Sequence, residues 1–336
     1  MFKFCTLLLL SIIAVSSPPA VADEEVTQKA VLITGASSGL GRHATEQLAK
    51  AGYFVYAGAR KDKDLDSLNK ITNVKAIRLD VTKADDISAA VRLIEDEGRG
   101  LWGLVNNAGI NIIDPLIEAR ESDLKFLFDV NVYGVFRITK AFAPLIIESK
   151  GRIVNMSSIA GTLSGGIPAY GMYVMSKHAV EAFTDQLSFE MKPLGVTVSA
   201  IEPGNFKSRI GVSRCRRMIA QSSTRKYVYF SEVMGQYLAS CKELEDDKSE
   251  DSGLPPVKVS NAIEHALFAE HPKEHYLVVP VKFEAMITLR KSIEELLALN
   301  HEHEFSYTRE QLIDLIDKEW AILRGEAVRK WQPDSN

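Results

Sequence analysis

Seven short runs of apolar, largely β-branched residues punctuate the chain from residue 29 onward: AVLIT (30–34), YFVYAGA (53–59), VKAIRL (74–79), LWGLVNN (101–107), RIVNMS (152–157), VTVSAI (196–201) and HYLVVP (275–280). Between most of them apolar residues recur at helical spacing, as with Leu40, Ala44, Leu48 and Ala51, after which Gly52 is placed to cap the helix. Strands alternating with helices predict an α/β fold: a Rossmann-like, doubly wound parallel sheet of about seven strands, with helices on both faces and right-handed crossovers.

Two regions break this rhythm. Residues 205–256 mix basic and aromatic side chains (Arg214, Arg216, Arg217, Tyr227, Tyr229, Phe230) with an acidic stretch, and read as an insertion that forms a lid. Beyond Pro280, apolar positions such as Ile293, Leu296, Leu297, Leu312, Ile313, Leu315 and Ile316 predict a helical extension. The predicted organisation is a leader (1–22), a main domain (23–285) and a C-terminal helical extension (286–336).

The leader has Lys3, an apolar run from Phe4 to Val15, and the small-residue sequence Ala20-Val21-Ala22 before Asp23, Glu24 and Glu25. That order is the one of a secretory signal peptide, and the apolar run falls short of the ~20 residues that span a bilayer. The expected location is exported or membrane-associated through the N-terminus, in a periplasm or an endoplasmic reticulum lumen. An oxidising compartment would permit a bridge between Cys215 and Cys241, and two idle thiols are the alternative. The glycosylation sequence at Asn155 falls on a strand expected to be buried and is read as unmodified.

Composition narrows the function classes. The 336 residues, 46% of them hydrophobic, suffice for a full core. A net charge of −4 with both signs interspersed excludes the basic face that nucleic-acid binding requires.

The segment TGASSGLG (34–41) follows the first predicted strand and opens the first helix. There Gly35 permits a tight turn, Gly39 lets a pyrophosphate approach the backbone, and Gly41 allows close helix–sheet packing, with the phosphates at the positive helix end. Further short segments follow in order: LDVT (79–82), NNAG (106–109), NVYG (131–134) and Pro203-Gly204. Together with the Gly-x-x-x-Gly-x-Gly spacing, they resemble the short-chain dehydrogenase/reductase family over residues 28–285. GLWGLVNNAGI and SKHAVEAFTDQL look most like its retinol and hydroxysteroid dehydrogenase branches. The resemblance implies a nicotinamide cofactor held by Gly35, Ser37, Ser38, Gly39, Leu40, Gly41, Arg60, Asp80, Val81, Asn107, Ala108, Gly109, Tyr173, Lys177, Pro203 and Gly204, with Asp80 facing the adenine. It also implies a homodimer or homotetramer through the helices bearing Asn131 and Tyr173.

The end of the second strand distinguishes between the two cofactors. NAD-specific folds place an acid there for the ribose 2′-hydroxyl, but this strand ends Ala57-Gly58-Ala59-Arg60. A guanidinium suits a 2′-phosphate, to which Ser37 adds a neutral hydrogen bond. NADP(H) is therefore favoured, and NAD(H) remains open if Asp62 or Asp64 turns back to the ribose.

AYGMYVMSKHAV (169–180) offers two tyrosines and one lysine. Tyr173 and Lys177 stand at i and i+4 on one helix face, whereas Val174 lies four beyond Tyr170. An ammonium beside a phenol is expected to lower its pKa. By resemblance Tyr173 is the general acid/base, Lys177 holds the nicotinamide ribose, Asn131 organises a water relay behind Lys177, and Ser158 binds the substrate oxygen. Ser158 lies 15 residues before Tyr173, an unusually long spacing, so Ser157 and Ser164 are rivals. Gly165, Gly166 and Gly171 are expected to absorb the extra length in turns, and Tyr170 is read as a pocket wall.

His301-Glu302-His303-Glu304 lacks the spacing of a zinc motif and reads as a solvated connection, so no metal site is expected. The arginine-rich stretch 209–226 suits a lid helix, an anionic lipid or an acidic substrate. Met218, Met234 and the lid aromatics suit an apolar small-molecule alcohol or carbonyl, such as a steroid or retinoid. The function expected is an NADP(H)-dependent alcohol dehydrogenase or carbonyl reductase. The alternatives are the same enzyme using NAD, or a cofactor-binding sensor or scaffold without catalysis.

Overall fold

The structure, a computed structural model, describes residues 28–246 and 253–327. The leader and part of the acidic stretch lie outside the described residues. Seven strands form one parallel sheet: β1 (Ala30–Ile33), β2 (Phe54–Ala59), β3 (Val74–Arg78), β4 (Gly103–Asn106), β5 (Arg152–Met156), β6 (Thr197–Pro203) and β7 (His275–Val278). Their spatial order is β3-β2-β1-β4-β5-β6-β7, so the winding direction reverses between β1 and β4. All seven predicted runs are strands, each within a few residues of its expected limits.

The helices are α1 (Gly39–Lys50), α2 (Asp62–Leu68), α3 (Ala84–Glu97), α4 (Glu121–Phe128), α5 (Gly134–Glu148), α6 (Gly171–Met191), α7 (Ile210–Gln221), α8 (Ser231–Asp246), α9 (Val257–Phe268), α10 (Lys282–Asn300) and α11 (Arg309–Leu323). One π-helical turn, Asp129–Tyr133, joins α4 to α5.

The strands alternate their side chains between two cores. Val31, Ile33, Val55 and Ala57 face α1 and α9 through Ala44, Leu48, Ile263 and Leu267. Ala30, Leu32, Tyr56 and Leu104 face α3 and α5 through Ile87, Ile94, Ile138 and Phe142. Both faces are covered, which explains why the strands read as continuous apolar runs. Helix α1 ends at Lys50, and Gly52 takes φ +95 beyond it, as a helix stop requires.

The run 121–148 is long and apolar enough, by length and composition, to cross a membrane. Its Ile138, Phe142 and Ile146 nevertheless pack into the sheet core. Asn155 is fully buried, donates to Thr184 and accepts from Asn106, consistent with an unmodified side chain.

Helices α7 and α8 fill the predicted insertion. Cys215 on α7 and Cys241 on α8 form a disulfide, so the bridged alternative is the one the structure adopts. The pair is anchored to the loop after β4: Arg225 Nη2 lies 2.6 Å from Asp114 Oδ2, and the Glu118 carboxylate accepts from the backbone of Val228, Tyr229 and Phe230. His301–Glu304 connects α10 to α11 and is exposed, as expected of a solvated link.

Candidate active site

A cleft of about 430 Å³ opens at the carboxyl ends of the strands, where β1 and β4 diverge. This is where doubly wound sheets bind their ligands. Its walls include Gly35, Ser37, Ser38, Gly39, Leu40, Arg60, Asp80, Val81, Asn107, Ala108, Gly109, Ser158, Tyr173, Lys177, Pro203 and Gly204.

Two proposed site residues lie behind this wall. Gly41 sits where a Cβ would come within 2.3 Å of Asn107 Nδ2 and 2.7 Å of the Gly35 carbonyl oxygen. Asn131, 1% exposed, accepts from Ile110 N (2.9 Å) and donates to Ile110 O (2.9 Å) and Ser176 Oγ (3.1 Å). Its amide braces the β4 exit loop against α6.

The end of the cleft at the β1–α1 turn is built from backbone. Gly35 adopts φ +66, and a Cβ there would lie 2.9 Å from Ala108 Cα, so both conformation and space require glycine. Asn107 Nδ2 ties strand ends together by donating to Thr34 O at 2.8 Å. The first turn of α1 carries no acidic residue, and Ser38 makes no side-chain cap. That combination leaves the positive helix end suited to an anion.

At the β3 end of the cleft, Asp80 Oδ1 accepts from Thr82 N and Oγ1 at 3.0 and 2.7 Å. Burial works to raise the Asp80 pKa, but the Thr82 hydrogen bonds and the Arg60 guanidinium hold it below the usual range. Arg60 Nη1 is 3.8 Å from Asp80 Oδ2, and its side chain is 60% exposed. Asp62 pairs with Arg78, so it does not turn back into the cleft. These features fit the two phosphates and the ribose of a nicotinamide dinucleotide.

Tyr173 and Lys177 share one face of α6, one turn apart. Tyr173 is half-buried and shares the cleft wall with Ser158. Lys177 is buried, and its Nζ donates to Met156 O at 2.8 Å, 5.7 Å from the centroid of the Tyr173 ring. Burial pushes the Tyr173 phenol up to about 12, against the lowering effect of Ser158. Burial also pushes Lys177 down to about 8, opposed by the Glu181 carboxylate. The expected lowering of the Tyr173 pKa by Lys177 is therefore not found, because the same wall disfavours the charged form of both groups.

The three serines are separated by the structure. Ser158 accepts from Ala160 N at 3.1 Å, donates to Pro203 O at 3.4 Å, and faces Tyr173. Ser157 also borders the cleft but is 5% exposed, and its hydroxyl, without a hydrogen bond of good geometry, lies towards the Glu181 carboxylate. Ser164 donates to Glu295 on α10 at 3.2 Å and is absent from the cleft wall.

The extra length before Tyr173 is taken up by Gly165 (φ +76) and Gly166 (φ +82), as expected. The third turn residue is Ala169 (φ +66) rather than Gly171. Gly171 instead admits Leu116, whose Cγ would lie 2.6 Å from a Cβ there.

A second cavity of about 240 Å³ lies between the lid helices and the loop after β4, and it shares Arg217 with the cleft. Tyr170 borders this lid region rather than the cleft. Its hydroxyl accepts from Arg214, and its ring packs edge-on against Tyr237 at 6.3 Å. Sequence reasoning gave no role to Glu181, one further turn along α6. Its neighbours Glu202 and Asp185 lie 2.9 Å from the His275 ring, and Glu181 itself lies 3.6 Å away. The i+4 spacing from Lys177 was the available signal.

A reversing parallel sheet with a glycine-lined cleft and a Tyr-Lys pair at its mouth defines a nicotinamide-dinucleotide oxidoreductase architecture. The family model described as short chain dehydrogenase matches residues 29–217. The mitochondrial D-beta-hydroxybutyrate dehydrogenase of Bos taurus is 36% identical over 282 residues, 76% of this chain and 78% of that protein. Retinol dehydrogenase 16 of Homo sapiens is 35% identical over 263 residues, 74% of this chain and 80% of that one. A solved short chain dehydrogenase/reductase from Burkholderia phymatum, in complex with NAD, is 25% identical, with a TM-score of 0.66 over 80% of this chain and 95% of that one. The chain belongs to the short-chain dehydrogenase family of oxidoreductases, and its cofactor is a nicotinamide dinucleotide.

Proposed function

We propose that the protein is an NADP(H)-dependent dehydrogenase/reductase that interconverts an alcohol and a carbonyl, with Tyr173 as general acid/base. The observation that carries this reading is the placing of Ser158, Tyr173 and Lys177 together on the wall of the cofactor cleft, with Lys177 one turn behind Tyr173. When bound, the cofactor supplies hydride transfer. Gly35, Ser37, Ser38, Gly39 and Leu40 hold the phosphates; Asp80, Val81 and Arg60 hold the adenosine end; Asn107, Ala108, Gly109, Pro203 and Gly204 line the rest.

Ser158 orients the substrate oxygen, and the neutral Tyr173 phenol gives its proton to that oxygen in the reducing direction. Burial keeps the phenol protonated, the form that donates, but also makes it a weaker acid, so the Lys177 ammonium is needed to stabilise the phenolate that forms. Lys177 holds the ribose and offers a positive charge when the phenol loses its proton. Asn131 acts by positioning the loop at Ile110 and helix α6. NADP(H) is supported by Arg60 at the end of β2 and by the engagement of Asp62 with Arg78.

The substrate is an apolar alcohol or carbonyl that reaches from the cleft into the lid cavity, whose walls include Ile112, Met218 and Met234. The catalytic domain is assigned to residues 23–285, with a lid at about 205–256 and a helical extension at 286–336. Export through the leader is supported by the Cys215–Cys241 bridge, which oxidising compartments sustain. A homodimer or homotetramer is supported by exposed Tyr133 and Phe136 near α5 and by Met175 and Phe189 on α6.

The test is fluorescence titration with NADPH and NADH, followed by turnover at 340 nm against aldehydes, retinal and ketosteroids. NADPH binding tighter than NADH binding, with turnover of an apolar carbonyl, is the expected result. Failure to bind either cofactor would sink the reading.

A further inference from the structure

The lid cavity holds three arginines and two aspartates, Arg214, Arg217 and Arg225 against Asp114 and Asp123. Two of the arginines have carboxylate neighbours: Arg225 lies 2.6 Å from Asp114, and Arg217 lies 3.5 Å from Asp123, a carboxylate that also pairs with Arg120 at 2.5 Å. Arg214 has no carboxylate partner among the described residues. Its Nη1 donates to the Tyr170 hydroxyl, a neutral acceptor, and its Nε is shut off from solvent with no hydrogen-bond partner.

A guanidinium N–H shut off from solvent without an acceptor is costly unless a ligand completes it. The remaining wall is apolar where it meets Ile112, Ile113, Met218, Met234 and Leu238. The cavity thus joins an apolar body to a guanidinium without a carboxylate partner among the described residues. Its other end reaches the cleft through Arg217, whose guanidinium stacks over Phe126 at 4.8 Å.

We propose that Arg214 is the anchor for a carboxylate at the far end of the substrate, so that the substrate is an apolar hydroxy or oxo carboxylic acid. This rests on the oxidoreductase reading for the position of the reacting carbon, near Tyr173, but the anchor itself is testable without turnover. A carboxylate supplies the acceptors that Arg214, alone of the three arginines, does not find in a carboxylate among the described residues. The planar fork of Arg214 matches a carboxylate better than a point charge would. The Cys215–Cys241 bridge, next to Arg214 on α7, holds the anchor's helix to α8.

The experiment is isothermal titration of the full chain with octanoate and with octan-1-ol, which share a chain and differ in the charged end. Octanoate is expected to bind more tightly than octan-1-ol. Arg214→Met is expected to weaken octanoate by about tenfold or more while leaving octan-1-ol unchanged. Arg216→Met, an exposed position on the same helix, should change neither.

NADPH titration and a melting curve on Arg214→Met report whether the variant is folded. If it is not, the wild-type preference for octanoate carries the decision, because it needs no variant. Equal binding of the acid and the alcohol by the wild type, or octanoate binding unchanged in a folded Arg214→Met, overturns the proposal. Loss of NADPH binding in the wild type with octanoate preference intact would instead overturn the oxidoreductase reading alone.

Discussion

Lys177 stands one helical turn beyond Tyr173, with its Nζ on the carbonyl of Met156 at 2.8 Å and 5.7 Å from the phenol ring centroid. The lysine is thus fixed by the end of β5, the strand that also delivers Ser158, so one strand end sets the positions of both partners of Tyr173. Lys177→Met removes the buried ammonium and this hydrogen bond. Turnover is expected to fall about 100-fold or more, within the range of a lost acid–base contribution. Cofactor affinity should fall with it, which a NADPH titration alongside steady-state kinetics measures.

The proposed preference for NADP(H) rests on the charge of Arg60 at the end of β2. Arg60→Asp places an acid at the end of β2 and removes the cation paired with Asp80. The ratio of NADPH to NADH affinity is expected to fall about 10- to 100-fold, the worth of hydrogen bonds to a charged group. Parallel titrations with the two cofactors give the ratio directly.

Gly41 is a packing requirement. In Gly41→Ala the new methyl meets Asn107 Nδ2 at 2.3 Å and the Gly35 carbonyl at 2.7 Å. Asn107 must give up its bond to Thr34 O, and the variant is expected to lose about 1–3 kcal/mol. Urea unfolding of the two proteins reads this, and equal midpoints would contradict it.

The bridge between α7 and α8 closes a separation of 26 residues. Cys241→Ser is expected to cost about 2–4 kcal/mol and to expose the lid helices to protease first. Limited proteolysis of the wild type with and without reductant provides the same comparison without a substitution.

Stability should fall as pH rises above neutrality. Hydrogen bonding to Glu202, with Asp185 and Glu181 nearby, raises His275 to about 9 in the folded protein. The native state therefore keeps a proton that the unfolded chain releases near 6.5. The His275 contribution is complete below that value and lost as pH passes about 9. Burial raises Glu181 to about 7, and its contribution, with the same sign, is complete below 4.5 and lost through about 7. Urea midpoints at pH 7 and about pH 9.5 should separate in the wild type and draw closer in His275→Gln.

The sheet was legible because its central strands are buried on both faces, which leaves short apolar runs such as Ala30 to Ile33. The cleft was legible because its walls are short, contiguous loops at strand ends, and spacing alone orders Tyr173 and Lys177. Charge states were not, since the burial that moves Tyr173 and Lys177 is a property of the assembled wall. The turn at Ala169 escaped because Gly171, the better turn former by composition, is needed for Leu116. Arg214 looks in the sequence like any other arginine in a basic helix; only in space does it stand without a carboxylate partner among the described residues.

The most direct measurement is the turnover of Tyr173→Phe on an apolar carbonyl, with NADPH binding followed on the same sample. The phenyl ring keeps the packing of the cleft and removes the proton. The account expects a loss of about 100- to 10,000-fold in kcat with cofactor affinity unchanged. Turnover within a few-fold of the wild type would contradict the assignment of Tyr173 as the acid/base.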